Sequence, residues 1–184
     1  AIITGGNMSG KTTFLKTVAL NIHLSNKIGY ALCDSIEMPK FKIITSIKNE
    51  DNLEEGISYF MDELLRIKKI IDQTNSTDDF LLIAIDEIFR GTNSKDRITL
   101  ASSVLKYLSG KNCLVLVTTH DLEIVKLTKE NYSPFFFNNS FVNNEVIFDY
   151  VIQKGIQYET NVVDLVKSLS FPQEIIHTAL DFQK

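Results

Sequence analysis

Gly5-Gly-Asn-Met-Ser-Gly-Lys-Thr12 sets glycines at positions 5 and 10 and a lysine and a threonine at 11 and 12. Each residue type suits one part of a phosphate cradle. A Cβ at Gly10 would obstruct backbone approaching an anion. Lys11 supplies a point charge for β and γ phosphates, and the Thr12 hydroxyl is a ligand for Mg²⁺. Gly5, Gly6, Asn7, Met8, Ser9, Gly10, Lys11, Thr12 and Thr13 form the candidate binding set, with the amides from Asn7 to Thr12 facing the phosphates.

Two further places carry chemistry. Asp86 and Glu87 close the apolar run that begins at Phe80. An acid pair ending a buried strand sits where open α/β sheets bind ligands. Asp86 is expected to hold Mg²⁺ with Thr12, and Glu87 to polarise a water for attack on the γ-phosphate. The bland alternative is a solvated acid pair. His120 follows a second apolar run, Cys113 to Thr119, expected beside the Asp86 strand, from which it could reach the γ-phosphate. His23 and His177 lie on helical stretches and read as structural.

Elements must bring these groups together. Ala1 to Thr4 reads as a buried strand entering the cradle, and Phe14, Leu15, Val18, Ala19 and Ile22 form a helix stripe behind it. That helix is expected to break from Ser25 to Gly29. Strands are expected at Tyr30 to Cys33 and Phe41 to Ile47, then a long amphipathic helix from Ile57 to Ile71, ended by the polar Gln73 to Asp79. Phe80 to Asp86 and Cys113 to Thr119 read as central parallel strands, with a helix from Lys95 to Leu108 between them. Two apolar stretches between Pro134 and Gly155 flank Asn143-Asn144 as an antiparallel edge hairpin. Two short helices separated by Phe171-Pro172 are expected from Val162 to Phe182. The pattern is an α/β P-loop fold with a mainly parallel sheet, spanning residues 1–184 as one domain.

Composition limits the rest. The 184 residues are 44% hydrophobic and 23% charged, near the globular average. A net charge of −4 argues against this chain wrapping nucleic acid by itself, so any DNA contact is expected from elsewhere. Cys33 and Cys113 stand in apolar runs, which reads as two buried thiols in a reducing, cytoplasmic compartment. No apolar run is long enough to span a bilayer. The chain opens with Ala1 already inside a strand, which reads as a fragment of something longer.

Gly-Gly-Asn-Met-Ser-Gly-Lys-Thr-Thr13, Ile85-Asp-Glu-Ile-Phe-Arg-Gly-Thr-Asn-Ser-Lys-Asp-Arg97 and Val117-Thr-Thr-His-Asp121 resemble, in order and spacing, the ATPase domain of the DNA mismatch repair MutS family, itself related to the ABC ATPases. Gly56-Ile-Ser-Tyr-Phe-Met-Asp-Glu63 is similar to the family's Ser-aromatic-Glu helix start, and Phe171 to Ile176 with Ala179 to its closing helix. The resemblance implies ATP and Mg²⁺ as ligands, Lys11, Glu87 and His120 as catalytic groups, and a homodimer. In that dimer each domain sends a signature loop, here Gly91, Thr92, Asn93 and Ser94, to its partner's nucleotide. The bland alternative for the loop is an ordinary helix cap at Asn93 or Ser94. DNA would be held by regions preceding Ala1. The sequence departs from the family pattern at Gly6, usually Pro; at Phe89 and Arg97, where Gly is common; and at Asp121, often aromatic. An ABC-type transport motor would carry an LSGGQ-like string before the acid strand, and none occurs. A nucleotide-gated assembly module that does not hydrolyse is the other alternative, and the intact set of Lys11, Thr12, Asp86, Glu87 and His120 argues against it.

Overall fold

A computed structural model describes residues 1–47, 59–142, 145–157, 166, 169 and 171–182. Strands β1 (Ile2–Gly5), β2 (Lys42–Ser46), β3 (Leu81–Ile85), β4 (Cys113–Thr118), β5 (Pro134–Val142) and β6 (Glu145–Lys154) form one sheet in the order β2-β3-β4-β1-β5-β6. Every neighbouring pair from β2 to β5 is parallel, and β6 closes the edge antiparallel to β5. The described helices are α1 (Lys11–Ile28), α2 (Tyr59–Ser76), α3 (Ser94–Leu108), α4 (Leu122–Thr128) and α5 (Gln173–Phe182).

The sheet is buried on both faces, which is why its central strands read as unbroken apolar runs. All five residues of β3 are buried. Leu81, Ile83 and Ile85 join the cluster with Ile67 and Ile70 of α2, Leu105 of α3 and Ile124 of α4. Ala84 and Leu82 turn to the opposite face, in clusters with Leu15 and Ile22 of α1. Each large aliphatic side chain so buried contributes about 1.5–3 kcal/mol.

Because β1, β3 and β4 are parallel, their carboxyl ends meet at one edge, with β4 between the other two. Gly5, Asp86 and the residues leading to His120 therefore converge, as the expected adjacency of the His120 and Asp86 strands requires.

Several local expectations are corrected. No strand forms at Tyr30–Cys33; Tyr30 and Leu32 are exposed, and the Leu32 amide donates to Asn21 Oδ1 at 2.5 Å. Cys33 is accordingly exposed, not buried, while Cys113 is half-buried and burial pushes its thiol pKa up. Helix α1 does not break at Ser25 but runs to Ile28, where Gly29 closes it at φ 68 with its amide donating to Ser25 O. Helix α2 likewise continues through Gln73 to Ser76. Helix α4 was not expected at all. The Asn143-Asn144 turn, the segment from Gly56 to Ser58 and most of the first C-terminal helix lie outside the described residues.

Candidate functional site

Gly10 stands at the N-cap of α1 in the left-handed region (φ 103), a conformation that favours glycine, and no side chain caps the helix start. Helix α3 offers a contrast: its N-cap Asn93 accepts the Asp96 amide at 3.0 Å. The first amides of α1 are thus left to a ligand, with the positive end of the helix dipole behind them. Gly5 is closely packed, since a Cβ there would lie 2.9 Å from Ser9 Oγ and 3.0 Å from Phe137 O. Gly6 is not so constrained; an added Cβ would meet Asn139 Nδ2 at an ordinary 3.5 Å.

Lys11 is 5% exposed, and its ammonium donates to Gly5 O and Gly6 O, both at 2.9 Å. Burial lowers its pKa; Glu87 and Asp86 work against that and Arg90 adds to it. The Thr12 hydroxyl donates to Asp86 Oδ2 at 2.7 Å, bridging α1 and the end of β3. The Thr118 hydroxyl of β4 donates to Asp86 Oδ1 at 2.7 Å and accepts the Glu87 amide at 2.8 Å. Thr118 therefore fixes both acids at once, a role its β-branched strand position concealed in the sequence. Thr118→Val keeps the shape but leaves the partly buried Glu87 amide and one Asp86 oxygen without this partner, so a loss of about 1–3 kcal/mol in urea unfolding is expected.

Both Glu87 oxygens are engaged. Oε1 lies 2.8 Å from His120 Nε2, and Oε2 accepts Arg90 Nη1 at 2.6 Å. Burial pushes the Glu87 carboxyl up, but the His120 hydrogen bond and the charges of Arg90, His120 and Lys11 outweigh it, so the net shift is downward. Each oxygen retains a second lone-pair position for a water.

A cleft of about 550 Å³ opens over the cradle, lined from Asn7 to Phe14 and by Thr17, Glu87, Phe137 and Tyr150. Tyr150, on β6, is exposed and would lie 3.2 Å from a Cβ on Gly10. Among the described residues four non-glycines have positive φ, namely Met8, Glu87, Phe89 and Tyr150, and all but Phe89 line this cleft. Such strain concentrates where a structure holds groups for function. Phe89 (φ 56) adopts a left-handed backbone despite its large side chain; burial and an edge contact with Phe60 offset the strain.

The Gly91–Ser94 loop does not line the cleft of its own chain. Glu63 of α2 holds it in place, accepting the Arg90 amide at 3.2 Å and the Gly91 amide at 2.8 Å. The cap alternative for Asn93 is therefore realised, alongside whatever else the loop does. Sequence reasoning missed Thr118 and Tyr150, and met Glu63 only through a resemblance.

Bound Mg²⁺ and a triphosphate fit this donor set on chemical grounds. Thr12 and Asp86 place a hydroxyl and a carboxylate oxygen side by side, hard ligands of the kind Mg²⁺ takes, with phosphate and water supplying the others. Ser9 Oγ, buried in the cradle, has no hydrogen-bond partner among the described residues.

A strand, loop and helix around an anion cradle, with acids at a neighbouring strand end of a mostly parallel sheet, define a P-loop-type ATPase domain. Residues 1–184 match the MutS domain V family throughout, and the chain belongs to that family. It is 31% identical over 182 residues to the DNA mismatch repair protein MutS of Wolbachia pipientis wMel. It is 33% identical to the protein of that name from Staphylococcus haemolyticus and 34% to that from Chlamydia abortus. Each comparison covers 97% of this chain but only 20–22% of the relative, so the chain spans about a fifth of their length.

Proposed function

We propose that residues 1–184 form one ATPase domain that binds ATP with Mg²⁺ and hydrolyses it to ADP and phosphate, driving a clamp or switch in a DNA mismatch-repair-type protein. The observation that carries this is the convergence of Lys11, Thr12, Asp86, Glu87 and His120 from three parallel strand ends. Lys11 exchanges its loop carbonyls for β and γ phosphate oxygens. Thr12 and Asp86 would hold Mg²⁺, which would supply positive charge to offset that of the phosphates. Glu87, kept ionised and oriented by His120 and Arg90, polarises a water towards the γ-phosphate.

The signature loop Gly91–Ser94, which does not line its own cleft, serves the nucleotide of a second copy in a homodimer. Small hydroxyl and amide groups at the start of α3 suit phosphate. This shared-site arrangement is the ground for placing the domain among ABC-related ATPases. DNA is held by other parts of the protein, since this chain carries a net charge of −4. Among the described residues no helix is long and apolar enough to cross a membrane, and the expected setting is the cytoplasm.

Tyr150 offers an exposed ring beside the cradle for a nucleotide base. Fluorescent ATP titrated into the intact protein with Mg²⁺ should bind saturably, and Tyr150→Ala should weaken binding by about 5–100-fold, as loss of a stacked base does. Saturable binding unaffected by Tyr150→Ala sinks the base contact, and no binding at all sinks the assignment of the cleft.

A further inference from the structure

Arg97 of α3 and Asp121, just past β4, meet each other. Arg97 Nε donates to Asp121 Oδ2 at 2.6 Å and Nη2 to Oδ1 at 2.9 Å, a two-pronged contact of the kind a guanidinium makes best. The side chains are only 21% and 14% exposed. The same guanidinium donates to Thr92 O and Ser94 Oγ, both at 3.2 Å. Both ends are placed against local preference. Arg97 lies in the first turn of α3, where the helix dipole disfavours a cation. Asp121 occupies the N-cap of α4 yet makes no capping bond, its carboxylate having gone to Arg97.

We infer that the Arg97–Asp121 pair is a strut coupling the Gly91–Ser94 loop to the end of β4, so that a change at His120 is passed to the loop. The path is short: Glu87 to His120, one peptide bond to Asp121, the ion pair to Arg97, and two hydrogen bonds to the loop. Resting on the reading above, in which that loop serves a second copy's nucleotide, the strut makes one site's occupancy set the readiness of the other. Arg97 is a positioning residue; it touches neither cradle nor cleft.

The test measures specific ATPase activity against protein concentration for the intact wild type, Arg97→Ala, Asp121→Asn, their combination and the exchange Arg97→Asp with Asp121→Arg. Fluorescent ATP affinity is measured in parallel at low concentration. Each single variant should raise the concentration for half-maximal activity at least about tenfold, the measurable scale of a close charge pair. ATP affinity should stay within about twofold, the combination should be no worse than either single change, and the exchange should recover part of the loss. Unchanged half-maximal concentrations, multiplying effects in the combination, or an equal loss of ATP affinity overturns the strut. A wild type whose specific activity does not depend on concentration overturns the shared-site reading instead, and the strut with it.

Discussion

Lys11→Ala should lose at least about a hundredfold in ATP affinity, because it leaves phosphate charge without its buried, hydrogen-bonded partner. The folded protein should hardly notice. Lys11 is 5% exposed, burial depresses its pKa, and among the described residues its ammonium donates to the two cradle carbonyls. The sign follows from that shift: a lysine depressed on folding is penalised while charged, and the penalty is relieved as pH rises past its folded pKa. Removing it should therefore leave the melting temperature without nucleotide within about 3 °C of wild type. Calorimetry with and without Mg·ATP checks both halves. A collapse of the melting temperature without nucleotide would make Lys11 structural, and undiminished stabilisation by ATP would remove it from the binding site.

Glu87→Gln should keep ATP affinity and lower turnover by about 10²–10⁴-fold, the range of a general base or water-polarising group. Single-turnover hydrolysis and ATP titration separate the two quantities. The downward shift of the Glu87 carboxyl adds a pH prediction. Its folded pKa lies below its unfolded value, so the stability it contributes is complete above the unfolded value and lost only as pH falls through the folded one. The carboxylate is therefore present throughout neutral and mildly acid conditions. The ratio of wild-type to Glu87→Gln turnover should stay constant from about pH 8 to 5. A ratio that falls across that window would show Glu87 taking up a proton there, against the geometry of His120 and Arg90.

The groups with chemical character were readable because each ends an apolar strand or opens a helix. Glycines, a lysine and a threonine after Ala1–Thr4, acids after Phe80–Ile85 and a histidine after Cys113–Thr119 are local patterns, and a parallel sheet sends all three ends to one edge. Their supports were not local. Thr118 reads as any β-branched strand residue until its hydroxyl is seen between Asp86 and Glu87. Glu63 grips amides 27 and 28 residues away, a distance no spacing rule encodes. Tyr150 breaks the conformation of an edge strand with a positive φ that alternation cannot reveal.

The errors have equally physical origins. Tyr30–Cys33 has strand-like residues but no neighbouring strand to bond with among the described residues, so β propensity had nothing to act on. Helix α4 is only seven residues long, too short for a periodic signal, and is held by burial of Ile124 and Val125 against the core. Arg97 and Asp121 could be singled out separately in the sequence, but their pairing became visible only when β4 and α3 were brought together.

Hydrolysis of ATP in this cleft as half of a shared site would show itself in the specific ATPase activity of the intact protein across a wide concentration range. Activity per molecule should rise with concentration and saturate as the Gly91–Ser94 loops engage. Activity per molecule that stays flat down to the dilute monomer would contradict it.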